Sequence, residues 1–169
     1  GAAAVARDAP HGRGQHAAFD SAKSYQFQAS YLGDDQKAAI RHVLESRDAV
    51  TAIRGGAGTG KTTLMKEAVS GIEQNGKQVL TLAPSADASR GVLRQEGFEQ
   101  ADTVARFLTD KNFQQQAKGQ VVWVDEAGLL GSKTMNQLFQ TAEKLNARVV
   151  LSGDERQHAS VERGDAMRV

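Results

Sequence analysis

Four short apolar runs punctuate the chain: "AVTAI" (49–53), "QVLTLA" (78–83), "QVVWV" (120–124) and "ARVVLS" (147–152). None of them alternates apolar with polar positions. A strand with one wet face alternates, whereas a strand covered on both faces does not, so the four runs predict a parallel sheet buried on both sides. Between the runs the period becomes helical. Gln36, Ile40, Val43 and Leu44 share one face, with Asp34 or Asp35 placed to cap its start. Leu64, Met65, Ala68, Val69 and Ile72 share a second face, and Met135, Leu138, Phe139, Ala142 and Leu145 a third. "SADASRGVLRQEG" (85–97) predicts a further helix that Gly97 ends. Strands alternating with helices predict an α/β fold, an open parallel sheet with helices on both faces. Residues 1–31 are rich in Ala, Gly, Ser, Gln and His without a sustained period. They predict a flexible leader or linker with little fixed structure, leaving 32–169 as the folded domain.

Composition narrows the class. A chain of 169 residues, 40% hydrophobic and 24% charged, is long enough for one domain with a core. Cysteine is absent, which excludes disulfides and cysteine-ligated metals. No apolar run approaches the roughly 20 residues that span a membrane, and the first residues lack an apolar segment of signal-peptide length. The expectation is a cytoplasmic protein. Of the 21 basic and 20 acidic residues, three and two fall in residues 1–32, leaving 18 of each beyond. No bulk basicity announces a nucleic-acid partner.

The candidate chemistry begins at "IRGGAGTGKTT" (53–63). Gly55, Gly60, Lys61 and Thr62 satisfy G-x-x-x-x-G-K-[ST], and the stretch lies between a buried strand and an amphipathic helix. Backbone N–H groups of such a loop (Gly55, Gly56, Ala57, Gly58, Thr59, Gly60) wrap around phosphates at the positive end of a helix. Lys61 then reaches the β- and γ-phosphates, Thr62 takes Mg²⁺, and Thr63 follows in the first turn. The implied ligand is a nucleoside triphosphate.

Two acids, Asp125 and Glu126, follow the run at 120–124. In an open parallel sheet the carboxyl ends of the strands form the ligand crevice, so both acids belong beside the glycine loop. The first is placed to order Mg²⁺ and the second to take a proton from an attacking water. After the last run come Asp154 and Gln157, the latter able to hydrogen-bond a γ-phosphate or the attacking water. Trp123, mid-strand, is expected in the core rather than as a base-stacking residue. His158 has no partner at metal-ligand spacing.

The order of "LGDDQKAAI", "GGAGTGKTT", "TLAPSADASRGV", "WVDEAG" and "LSGDERQ" resembles the first RecA-like domain of superfamily 1 DNA helicases. Within these it is similar to the 5′→3′ RecD-type branch, and "VDEAGLLG" and "GDERQHASVERGDAMR" resemble the helicase parts of conjugative relaxases of the TraI/TrwC type. The resemblance implies an ATP-driven motor on single-stranded DNA, in conjugative transfer or recombination. It implies that Gln36 reads adenine, that Lys61, Glu126 and Gln157 are catalytic, and that Thr62 and Asp125 hold Mg²⁺. Pro84 and Ser85 then contact the DNA backbone, and "TVARFL" (103–108) resembles a further strand-contacting stretch. The bland alternative for that stretch is an amphipathic helix burying Val104, Phe107 and Leu108.

Family motors carry a second RecA-like domain that donates arginines across the cleft. Residues 1–169 offer no stretch for it and no tyrosine cluster of a relaxase nuclease. A trans arginine is worth roughly 10³–10⁵ in rate, so this chain alone is expected to bind Mg·ATP, turn over poorly and not unwind DNA. Two other classes stay open. A different P-loop enzyme, such as a small-molecule kinase, needs an acceptor pocket and basic lid that no segment suggests. A non-hydrolysing regulatory module has no use for Glu126 beside Asp125.

Overall fold

The computed structural model describes residues 13–54 and 60–153. Five strands, β1 (Val50–Arg54), β2 (Val79–Ala83), β3 (Asp102–Thr103), β4 (Val121–Val124) and β5 (Arg148–Gly153), make one sheet in the order β1-β5-β4-β2-β3. Every pairing is parallel, as the continuous apolar runs require. Four strands lie where the runs predict them. The fifth, β3, is a two-residue edge strand of Asp and Thr with no apolar run to betray it. It exists because Asp102 and Thr103 pair with Leu82 and Ala83 at the end of β2.

Helices cover both faces. On one lie α1 (Asp34–Glu45) and α2 (Lys61–Gln74), burying Ile40, Val43, Leu64, Met65, Ala68 and Ile72 against Ile53, Trp123 and Val150. On the other lie α3 (Val104–Thr109), α4 (Lys111–Gln115) and α5 (Ser132–Lys144), whose Phe107, Phe113, Met135 and Leu138 pack on Val122, Val124 and Leu151. Along β4 successive side chains enter opposite cores, which is why no position in it could be polar. Helices α1 and α2 approach closely at Gly71, where a Cβ would lie 2.8 Å from the Leu44 side chain.

Two helix expectations need correction. Asp34 and Asp35 do not cap α1; they are its first two residues, with Gly33 as the cap. Their carboxylates face the positive end of the helix instead. The helix after β2 is a π-helix over Asp87–Leu93, its wide turn continued by the Arg94 N–H donating to the Ser89 carbonyl. Gly97 ends the segment as predicted, with φ +109°, and the Phe98 N–H closes back on the Leu93 carbonyl at 3.0 Å.

Residues 13–31 form no helix or strand, yet they are fastened to the domain, contrary to the expected lack of fixed structure. Phe19 and Asp20 are buried. The Arg148 guanidinium lies 3.8 Å from the Phe19 ring centre and donates to the Ala17 carbonyl at 2.8 Å. Asp20 N–H donates to the Leu44 carbonyl at 2.9 Å. Glu67, on α2, accepts from the backbone N–H groups of Gln28 and Ala29 at 2.7 and 2.6 Å and from the Tyr25 hydroxyl.

Candidate active site

The parallel sheet brings the ends of β1, β4 and β5 to one edge. Helix α2 opens there at Lys61, directly after Gly60. Asp125 follows β4 and is 3% exposed, with its Oδ2 2.9 Å from Lys61 Nζ. Burial works to lower the pKa of Lys61, but the hydrogen bond and charge of Asp125, with Glu126 and Glu96 beyond, outweigh it and raise it. Lys61 therefore stays cationic wherever the domain is folded at neutral pH. An ammonium has three protons, so Lys61 can keep Asp125 and still donate to an anion arriving at the start of α2.

The other oxygen of Asp125 is also held. Ser152 Oγ, in β5, donates to Oδ1 at 3.1 Å, and Trp123 Nε1 donates to Ser152 Oγ at 2.8 Å. Trp123 is thus core, as expected, but its indole nitrogen ends in the site. Glu126, the next residue, is half-buried and takes φ 54°, ψ 37°. A left-handed conformation at a non-glycine residue costs roughly 1–2 kcal/mol. It turns the chain sharply into the short 3₁₀ turn Ala127–Leu129, separating the direction of Glu126 from that of its neighbour Asp125. Such strain concentrates at functional sites.

Thr62 donates its hydroxyl hydrogen to Glu96. A hydroxyl that ligates a cation keeps its proton and needs an acceptor for it, so Glu96 leaves the lone pairs of Thr62 free. Among the described residues no three His, Cys, Asp or Glu gather as a metal cage. One hydroxyl and one carboxylate suit Mg²⁺, which takes its remaining ligands from phosphates and water. Thr63 Oγ1 lies 3.5 Å from the hydroxyl of Tyr31, an exposed ring.

Gln36 sits beside this group. Its Oε1 accepts the Gly33 N–H at 2.8 Å and its Nε2 donates to the Gly60 carbonyl at 3.0 Å. The amide therefore closes the start of α1 and ties it to Gly60, the residue just before α2. Gly60 has an ordinary φ of −88°, and its missing side chain leaves room for the Gln36 amide: a Cβ there would lie 2.0 Å from Gln36 Nε2 and push that amide aside. Among the described residues these contacts leave one Gln36 amide proton and one oxygen lone pair unused.

Pro84 and Ser85 follow β2 at the same sheet edge. Ser85 Oγ accepts from the Ala88 N–H at 3.1 Å, starting the π-helix. Beside them the overall charge balance hides a local concentration. Buried Asp102 holds Arg90, Arg94 and Arg106 at 3.1, 3.3 and 2.7 Å. Burial works to raise the pKa of Asp102, but Arg106, the Thr103 N–H and Arg90 outweigh it and bring it down. Within "TVARFL" Thr103 caps α3, which starts at Val104 and buries Val104 and Phe107 with Leu108 partly covered, so its helical reading and its basic residue Arg106 coexist.

Gly55, Gly56, Ala57, Gly58 and Thr59 lie outside the described residues, as do Asp154, Gln157 and His158. Sequence reasoning missed Glu96, Ser152 and the arginine cluster. Only Ser152 left a signal, a hydroxyl directly after the apolar run Val149, Val150 and Leu151.

Comparison with known proteins adds the lineage. A family model described as an AAA domain matches residues 31–169. The chain is 35% identical over 140 residues to a probable conjugal transfer protein TraA of Sinorhizobium fredii, covering 82% of this chain and 13% of that protein. It is 35% identical over 138 residues to a conjugal transfer protein TraA of Rhizobium radiobacter, with coverages of 81% and 12%. To the multifunctional conjugation protein TraI of Escherichia coli K12 it is 30% identical over 148 residues, with 82% and 8% covered. The chain thus spans a small part of the length of these relatives. Among the described residues no helix is long and apolar enough to cross a membrane.

Proposed function

This chain belongs to the AAA domain family, and from that premise we propose that it is the first motor domain of a cytoplasmic conjugation helicase. In this reading residues 32–169 bind ATP with Mg²⁺ and couple its hydrolysis to movement on single-stranded DNA, with residues 13–31 strapped to the same domain. A second RecA-like domain completes the motor. The observation that carries the reading is the pairing of Lys61 with buried Asp125 at 2.9 Å, at the carboxyl edge of a parallel sheet and the first turn of a helix. A cation and an acid held together at a helix N-terminus are what a triphosphate and its divalent ion require.

The roles follow from the chemistry of each group. The backbone of residues 55–60 supplies donors, and Lys61 binds the β- and γ-phosphates. Thr62 and Asp125 hold Mg²⁺, which when bound supplies charge neutralisation on the phosphate oxygens. Glu126 takes the proton of the attacking water, and Gln157 senses the γ-phosphate. Gln36 reads adenine through the proton and lone pair left after its contacts to Gly33 and Gly60. Pro84 and Ser85 take the DNA backbone, and the neighbouring arginine cluster supports that placement better than bulk charge did.

The test is calorimetry of Mg·ATP binding to the chain and to Lys61→Ala. Loss of one charge-assisted contact is worth roughly 1.5–3 kcal/mol, about ten- to a hundredfold in affinity. Equal affinities would remove Lys61 from the site and the reading with it.

A further inference from the structure

Behind Asp125 runs a buried chain of hydrogen bonds that nucleotide binding by itself does not require. An indole N–H can only donate, so Trp123 Nε1, 2.8 Å from Ser152 Oγ, fixes that oxygen as acceptor. The proton of Ser152 must then go elsewhere, and Asp125 Oδ1 lies 3.1 Å away. The direction is settled by chemistry: Trp123 to Ser152 to Asp125. The three residues are 0%, 4% and 3% exposed, so no water competes for these bonds. Sheet register sets the geometry. Trp123 pairs with Val150 and Val124 with Leu151, which places Asp125 opposite Ser152 and all three side chains on one face.

An aspartate carboxylate turns easily about its last torsion. Here one oxygen is held from behind by Ser152 while the other meets Lys61 at 2.9 Å. We infer that Ser152 and Trp123 are positioning residues that aim Asp125 at the divalent cation, an inference that rests on the metal role proposed for Asp125. Neither touches nucleotide; both act through the carboxylate. Residues that orient metal-ligating groups typically contribute ten- to a hundredfold in metal affinity. Trp123 is the single tryptophan of the chain, so its emission reports on the far end of the same relay.

The experiment measures ADP affinity of the 169-residue chain by calorimetry, with Mg²⁺ and with the metal chelated. Ser152→Ala should lose about ten- to a hundredfold of the Mg²⁺-supported affinity and keep the metal-free affinity of the unmutated chain. Ser152→Thr retains the hydroxyl and should restore most of the loss. Trp123→Phe keeps an aromatic ring in the core, removes the indole N–H together with part of the bicycle, and should shift the Mg²⁺-supported affinity the same way by less while leaving the metal-free affinity unchanged. It also decides the matter if Ser152→Ala fails to fold. In the unmutated chain Mg·ADP should shift Trp123 emission, and in Ser152→Ala that shift should be lost. Unchanged Mg²⁺ dependence in Ser152→Ala and Trp123→Phe, or an equal loss with and without metal, overturns the relay alone. An unmutated chain that binds ADP without help from Mg²⁺ overturns the metal role of Asp125, and the relay falls with it.

Discussion

Glu67→Ala tests whether residues 13–31 are part of the domain or an attached tail. Glu67 is 4% exposed and receives the N–H groups of Gln28 and Ala29 and the hydroxyl of Tyr25. Burial, then the Glu67 carboxylate, push the Tyr25 phenol above its usual range, so it remains a donor. A hydrogen bond to a charged group is worth about 1.5–3 kcal/mol net, and three would sum to more than twice that. Two effects reduce the sum. Burying the carboxylate itself costs several kcal/mol, and Gln28 is an exposed residue between half-buried Phe27 and Ala29, so water can replace part of what is lost. The expected destabilisation is about 2–4 kcal/mol, on the order of 5–12 °C in Tm for a domain of this size. Glu67→Gln keeps one oxygen for the two N–H groups, and its NH₂ can donate to Tyr25, so it should lose about half as much. The assay is urea or thermal unfolding of both variants, with limited proteolysis scored for cleavage before residue 32. An unchanged unfolding midpoint and unchanged cleavage in Glu67→Ala would refute the strap.

Three further outcomes are expected. Gln36→Ala should narrow the preference for ATP over GTP in competition against fluorescent ADP and cost about 1 kcal/mol of stability through the lost cap; Gly60→Ala, whose Cβ would displace the Gln36 amide, should narrow the preference likewise, and base indifference in the unmutated chain would exclude Gln36 as the reader. Asp102→Asn should destabilise at pH 7 by roughly 1–3 kcal/mol, discounted for half-exposed arginines. Because the folded pKa of Asp102 lies below its unfolded value, its contribution is present above the unfolded pKa and lost as pH falls through the folded one. The two proteins should therefore converge in acid unfolding, and a gap that persists there contradicts the charge account. In the intact parent protein Glu126→Gln should still bind Mg·ATP yet lose about 10²–10⁴ in DNA-stimulated phosphate release, the span for a general base; release at the unmutated rate would assign the proton elsewhere.

The helical period of α1, α2 and α5 and the four continuous apolar runs were sufficient for the layered α/β architecture, because burial on two faces leaves an unmistakable pattern in the chain. The same pattern concealed Glu67. On α2 it stands among Leu64, Met65 and Ala68 as a charge that ordinarily faces water, and its buried role depends on backbone N–H groups some forty residues earlier. Strand β3 was invisible for a related reason: two residues carry no period, and they pair only because β2 ends beside them.

The candidate site divides along the same line. Lys61, Thr62, Asp125 and Glu126 stood out in the sequence as candidates by their offsets from a glycine-rich stretch and a strand end, and the fold brings Lys61 and Asp125 to 2.9 Å. What tertiary structure alone decided is which groups stand behind them: Ser152 and Trp123 behind Asp125, Glu96 behind Thr62, Gly60 against Gln36, three arginines around Asp102. Each of these contacts is a hydrogen bond or ion pair across strands, between strand and helix or between loop and helix, with directional requirements of a few tenths of an ångström. Those distances are set by register and packing, and no pattern along one dimension contains them.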